Sequence, residues 1–372
     1  MEYVTLKVIW WGIITFLVIA FAITGGMDIG VNILLPIVGR NETDRRLILN
    51  AVGPTWEGNQ VWLVTFGAAL FAVWPSVYAT AFSSLYFALM LALLMLILRP
   101  PGLDYRTKID SATWRQMWDL CLIVGGVVLA LVFGVAIGNL FIGLPFTFDE
   151  NLLPTYTGSL LSLFSPFTIL FGIVSLSMLS LQGSLFLQYK LENHLVTLAK
   201  QAVQKFGYTL IGSFILAGIY TCFWMPGYAI LSIPDINTGF DATRKIVAIT
   251  PSGWLSNYVN YPLLWLLPIG ALIYTYLAMR ISKANKSGWA LIINSMAIAA
   301  IIFTAAAALF PFILPSSSQP NHSLTIWDAA SSYKSLCFSL SAVLIFLPIV
   351  LIYTSWVYKI MHGKVNLKTN SY

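Results

Sequence analysis

Glu57 is the most unusual side chain in this sequence, standing in the block Trp56-Glu57-Gly58-Asn59-Gln60-Val61-Trp62 at the start of an apolar stretch. A carboxylate among amides and indoles on one helical turn can take up and release protons along a polar or water-filled path. The alternative is a helix-start carboxylate stabilised by the macrodipole. Three more ionisable residues lie in or at the edge of apolar segments: Asp28, Arg99 and Asp119. Ionisable groups at membrane depth are costly, so each is a functional candidate. Asp28 follows Gly25-Gly26 and is expected to face Arg99, as part of a proton route or as a structural ion pair. Asp119, beside Trp118, reads as an interfacial helix start. Asn139, Gln182, Gln188 and Asn294 are suited to hydrogen bonds between helices.

The histidines argue against haem. There are three, His194, His322 and His362, and all fall between or after the apolar segments. A membrane haem protein places axial His or Met ligands inside its bundle. The Met residues in the apolar segments read more simply as core filler, so the chain is expected to hold no haem by itself. Cys121, Cys222 and Cys337 have no metal or disulfide spacing. No nucleotide-binding loop or nucleophile constellation is visible.

The elements that must position these residues are nine long apolar segments: 8–37, 60–75, 76–98, 118–144, 160–187, 208–230, 261–279, 289–314 and 336–360. Most reach the roughly 20 residues that span a hydrocarbon core. The second is short, so its helix is expected to begin as early as Trp56. The first holds Gly25, Gly26 and Pro36, which favour a kink or tilt. Sixteen of the twenty Lys and Arg fall in every second connection or the C-terminal tail, from Arg40, Arg45 and Arg46 to Lys359, Lys364 and Lys368. The other four, Lys7, Arg244, Lys245 and Lys334, lie on the opposite side. Cytoplasmic loops retain Lys and Arg. The alternation therefore predicts an all-α polytopic membrane protein with nine transmembrane helices, the N-terminus outside and the C-terminus cytoplasmic.

Composition agrees. Apolar residues make up 58% and charged residues 9%, with mean hydropathy +0.82. A soluble domain carries about 25% charged residues. The net charge of +6 is explained by the cytoplasmic loops and points to no nucleic acid. The N-terminus is not basic and the first apolar run is too long for a cleavable signal. Residues 1–372 read as a single integral membrane domain. Two longer connections, 231–260 and 315–334, are external and either cap the bundle or simply join spans.

Several motifs, taken together, resemble subunit II of the cytochrome bd quinol oxidases nearly end to end. The strongest block runs from 50 to 108, with GPTWEGNQVWL, AVWPSVYA and LRPPGLDYRTK. GMDIG at 26–30, TWRQMWD at 113–119, PFILPSSS at 311–318 and SLTIWDAASS at 323–332 extend it. The resemblance implies two four-helix bundles plus a peripheral helix. It implies a haem-free chain packed against subunit I, which carries haem b, haem d and the quinol-oxidising loop. The complex would oxidise quinol and reduce dioxygen to water in the bacterial cytoplasmic (inner) membrane, electrogenically, with protons drawn from the cytoplasm. Glu57 corresponds to the family's acidic residue in W-[DE]-G-N-Q, implicated in a cytoplasmic proton path, and Trp62 lies in the region proposed for oxygen entry. Asp28 joins Glu57 in the proton path, with Arg99, Asn59 and Gln60 as supporting polar groups. Some members hold a structural quinone in a lipid-facing groove or carry small accessory subunits; no quinone ligand carries over by residue.

One departure bears on that path. Relatives often read T-D-G-F-D-M-G where this chain has Thr24-Gly25-Gly26-Met27-Asp28-Ile29-Gly30. One of two acidic positions is lost, so the weight falls on Asp28 and Glu57. The rival reading is a secondary transporter, since clustered intramembrane acids are common there. Against it stand the lack of an inverted repeat and of paired broken helices at the midplane.

Overall fold

The computed structural model describes residues 2–159, 161–233 and 244–365. The chain is α-helical, in the order α1 (Tyr3–Val38), α2 (Glu42–Val52), α3 (Trp56–Val73), α4 (Pro75–Ser84), α5 (Tyr86–Asp104) and α6 (Ala112–Ile142), then α7 (Pro166–Lys190), α8 (Asn193–Phe223), α9 (Ser256–Asn260), α10 (Leu266–Lys283), α11 (Ser287–Leu309) and α12 (Tyr333–Ile360). Among the described residues eight helices are long and apolar enough to cross a membrane: α1, α5, α6, α7, α8, α10 with the 3-10 turn before it, α11 and α12. The protein is therefore a polytopic membrane protein. The second sequence segment is α3; Glu57, Asn59 and Gln60 make its first turn too polar for it to count among the eight.

Several boundaries differ from the sequence expectation. The third segment is two helices, α4 and α5, broken at Leu85, and α5 runs on through Pro100 and Pro101. The sixth segment begins at Asn193 rather than 208, because Leu195, Ala199, Ala202 and Val203 bury an amphipathic first stretch of α8. The sixth and eighth segments end in strands. Three two-stranded antiparallel sheets occupy the connections: β1 (Phe146–Phe148) with β2 (Pro154–Tyr156), β3 (Gly227–Ser232) with β4 (Ile246–Thr250), and β5 (Phe312–Leu314) with β6 (Leu324–Thr325). Such short apolar β-branched runs are indistinguishable by hydropathy from the helix they follow.

α7 is the keystone. It packs on α1, α6, α8 and α11; α1 also packs on α3 and α6, α5 on α6, and α10 on α8 and α11. At the α1–α7 crossing two glycines meet. A Cβ on Gly30 would lie 2.1 Å from the Leu179 carbonyl oxygen, and one on Gly183 would lie 2.5 Å from the Gly30 carbonyl carbon. Small residues let membrane helices approach this closely, which compensates for the missing hydrophobic drive between helices in lipid. Polar side chains then tie the same helices. Gln182 donates to the Ile23 carbonyl and to Ser295, Asn294 donates to Gln182 (2.8 Å), and Gln188 exchanges hydrogen bonds with Ser282. Asn139 instead bonds the Val135 and Leu163 carbonyls.

α12 is the outlier. It lies against α3 and α1, and only Leu336 and Leu340, near its start, are buried. Its two ends are held by polar contacts. At the start, Trp10 Nε1 donates to the Leu336 carbonyl (3.2 Å) and Tyr3 to that of Ser331 (2.7 Å). At the finish, Lys190 donates to the Met361 carbonyl, Lys364 to that of Leu191 (2.7 Å), and the Val365 N–H to that of Lys190 (2.9 Å).

The connections sort into two ends. One gathers the basic loops: Arg106, Arg45 and Arg115 meet Glu42 and Asp119, His194 meets Asp44, and Lys200 meets Asn285. The other gathers the hairpins, joined by Lys245–Asp328 (2.5 Å), Lys7 on the Trp327 carbonyl, and His322 Nδ1 accepting from the Phe148 N–H (2.9 Å). Burial, then nearby Lys245, holds the His322 imidazole below its usual pKa, as that acceptor role requires of a neutral ring.

Candidate functional site

α1 carries Asp28 into the interior at the α1–α3 contact, where the carboxylate is 1% exposed. α3 starts at Trp56, and one turn later presents Asn59, 2% exposed, to the same point. Asn59 Nδ2 donates to Asp28 Oδ2 at 3.0 Å. From the opposite side α12 delivers Tyr358, whose hydroxyl donates to Asn59 Oδ1 at 2.8 Å. A phenol, an amide and a carboxylate from three helices thus form one hydrogen-bonded line. Among the described residues Asp28 Oδ1 and Arg99 Nε have no hydrogen-bond partner, nor has the Asn32 amide one turn along α1.

Among the described residues Asp28 and Arg99, each 1% exposed, make no ion pair within 4 Å; the hydrogen bond to the carboxylate comes from Asn59. Glu57 does not converge with the amides beside it. On a helix, residues 57 and 59 are about 200° apart, so turning Asn59 and Trp62 inward turns Glu57 out. Its side chain is exposed, on a face continued by Val61, Val64 and Phe71. Gln60 is half-buried between the two faces. Trp62 is buried, edge-on to Phe16 of α1 with ring centroids 6.3 Å apart.

Where relatives carry the second acid, Gly25 leaves the space to an aromatic ring. A Cβ there would meet Phe21 Cε2 at 2.6 Å. An aspartate at 25 would require Phe21 to move.

Asp119 is not the helix start that the sequence suggested: α6 begins at Ala112, about two turns earlier. Asp119 accepts from Arg106 Nε (2.6 Å) and from Arg45 (2.7 Å), and Arg106 reaches on to both oxygens of Glu42 (2.7 and 2.8 Å). Burial alone would lower the Arg106 pKa; its hydrogen bonds and charge contacts with Asp119 and Glu42 more than reverse this, so it is raised. Arg106 thus joins Asp119 and Glu42 in one hydrogen-bonded charge network. Among the described residues no group of three His, Cys, Asp or Glu could hold a metal.

Sequence reading missed Tyr358 and the Arg106 network. Tyr358 sits among Tyr353, Trp356 and Lys359, which read as an interfacial belt. Nothing local says that α12 returns to α3. The Arg106 network had a signal: four charges, Glu42, Arg45, Arg106 and Arg115, in two short connections on the same side, with Asp119 at the start of the adjoining apolar segment.

The fold and these buried charges define a subunit-like polytopic membrane protein, with its polar chemistry drawn to one end and one exposed carboxylate on an apolar face. The chain belongs to the cytochrome bd terminal oxidase subunit II family, whose sequence profile matches residues 6–361. It is 43% identical over 365 residues to the "Probable cytochrome oxidase subunit 2" of Haemophilus influenzae, covering 98% of this chain and 96% of that one. It is 41% identical over 364 residues to the "Cytochrome bd-I ubiquinol oxidase subunit 2" of Escherichia coli K12, with the same coverage. The fold matches a chain of the bd oxidase from Geobacillus thermodenitrificans with a TM-score of 0.73, covering 96% of this chain and 98% of that one at 16% identity. Membership sets the transporter reading aside.

Proposed function

We propose that this chain is the haem-free subunit II of a bd-type terminal oxidase in the bacterial cytoplasmic membrane. Its partner, subunit I, would hold haem b and haem d, oxidise quinol and reduce dioxygen to water. This chain supports assembly and helps bring protons from the cytoplasm through Glu57 and Asp28. The observation that carries the reading is the placement of two carboxylates. Asp28 is sealed in the bundle on a neutral amide, without a direct cation partner. Glu57 lies about half a turn of α3 before that amide, on the outer face. A carboxylate exposed to lipid beside Val61 and Val64 is costly, so that face is where subunit I packs, and Glu57 then stands between the subunits.

The test is Glu57→Gln in the assembled two-subunit complex. Glutamine keeps the shape but does not titrate. Quinol oxidation and proton uptake should fall several-fold, up to tenfold or about 1.4 kcal/mol of barrier, with the haem spectrum and assembly intact. Glu57→Asp should be milder. Normal turnover and normal proton uptake in Glu57→Gln would remove Glu57 from the path.

The same reading gives nine crossings, with α3 as the second and α4–α5 as the third, arranged as two four-helix bundles and a peripheral α12. The N-terminus is outside and the C-terminus cytoplasmic. The gathering of the basic loops at one end of the bundle supports this. Reporter fusions after Arg46, Arg106, Lys200 and Lys286 should read cytoplasmic, and fusions after Glu150 and His322 external. Two or more reversed reporters would overturn the topology.

A further inference from the structure

We infer that Tyr358 is a positioning residue for Asp28, acting through Asn59 from the last helix of the chain. The inference rests on the reading that Asp28 carries protons. The geometry is directional. The phenol donates to Asn59 Oδ1, and that fixes the amide with Nδ2 toward Asp28 Oδ2. Turned over, the amide would set its own carbonyl oxygen against the carboxylate. Tyr358 therefore selects the amide orientation that gives Asp28 a donor. The engaged oxygen is Oδ2; among the described residues Oδ1 has no partner.

Tyr358 is itself held in an unusual way. From 341 onward no residue of α12 is fully buried; Val343, Leu347 and Tyr358 are half-buried against the bundle. A clamp just beyond the helix adds to this packing. Lys190, from the last turn of α7, donates to the Met361 carbonyl. Lys364 donates to the Leu191 and Gln188 carbonyls, and the Val365 N–H to that of Lys190. The carbonyls at the end of α7 carry the negative pole of that helix, where a lysine is favoured. The chain 361–365 is thus pinned to α7, and Tyr358, one turn before it, is held over Asn59.

The test uses the assembled complex. Tyr358→Phe removes one hydroxyl and keeps the ring. Turnover should fall about fivefold, the size of one lost neutral hydrogen bond. The carboxyl infrared band of Asp28, assigned by its loss in Asp28→Asn, should move. Replacing Tyr358 with a fluorinated tyrosine keeps the shape and strengthens the donor; the band should then move the opposite way, which a merely structural role would not produce. In an Asn59→Leu background Tyr358→Phe should add no further loss. The inference is overturned if the Asp28 band stays in place in both Tyr358 variants, or if the Tyr358→Phe loss is undiminished without Asn59. The infrared arm reads the hydrogen-bond line alone, so normal turnover in Asp28→Asn would reject the proton path and leave that arm to decide the positioning.

Discussion

Gly183→Leu should prevent stable accumulation of the protein, and Gly183→Ala should already lower its thermal stability by about 1–3 kcal/mol. At the α1–α7 crossing the added Cβ meets main chain: Gly30 C at 2.5 Å, Gly30 Cα and Val31 N at 2.7 Å. A side chain can swing away, but two helix backbones must part. Parting them also strips the hydrogen bond from Gln182 of α7 to the Ile23 carbonyl of α1. Gly212→Ala and Gly218→Ala are the controls. A Cβ there meets nothing within 4 Å, and alanine is the better helix former, so neither should destabilise. Thermal unfolding in detergent of the four alanine and leucine variants checks this. A Gly183→Ala protein as stable as wild type would mean that the crossing is looser than described.

Arg106→Leu should cost about 3–5 kcal/mol, the usual penalty for removing one partner of a buried ion pair. The loss falls mainly on Asp119, whose side chain is 4% exposed, whereas Glu42 is 44% exposed and can be solvated. Arg106→Lys should rescue poorly. A single ammonium cannot reproduce the guanidinium fork that bonds Asp119 and Glu42 together. Arg106→Leu with Asp119→Leu should recover part of the loss, because the stranded charge goes with its partner. Arg115→Ala should be near neutral, since its closest partner Asp110 is fully exposed. Midpoints of thermal unfolding decide the matter; equal losses in Arg106→Leu and Arg115→Ala would refute it.

The helices that cross on uninterrupted apolar residues were legible in the sequence, their ends to within about three residues and their starts to within about six. α1, α6, α7 and α12 begin or end where charge, Pro or Gly interrupts the run. Legibility failed where hydropathy and secondary structure part company. β3 and β5 are apolar and follow α8 and α11 closely, so they looked like helix. The opening turns of α8 carry Lys200 and Lys205, so they looked like loop although one face is buried. At the site, the choice of Asp28, Asn59 and Arg99 needed only residue type and depth. The convergence expected of Glu57 with Asn59 was wrong, although a 3.6-residue period sets residues two apart on nearly opposite faces. The partner of Asn59 was not legible, because Tyr358 lies 299 positions away, and no local pattern encodes which helix the peripheral one returns to.

The contacts at the two ends of α12 have a bearing on how the protein is made. The chain emerges N-terminus first, yet α1 finds the acceptors for Tyr3 and Trp10 at 331 and 336, and Asn59 finds its donor at 358. Until the final helix enters the bilayer, the first one lacks these anchors and the Asp28 site lacks its third member. A chain that stops short of α12 therefore displays polar groups that a finished chain conceals.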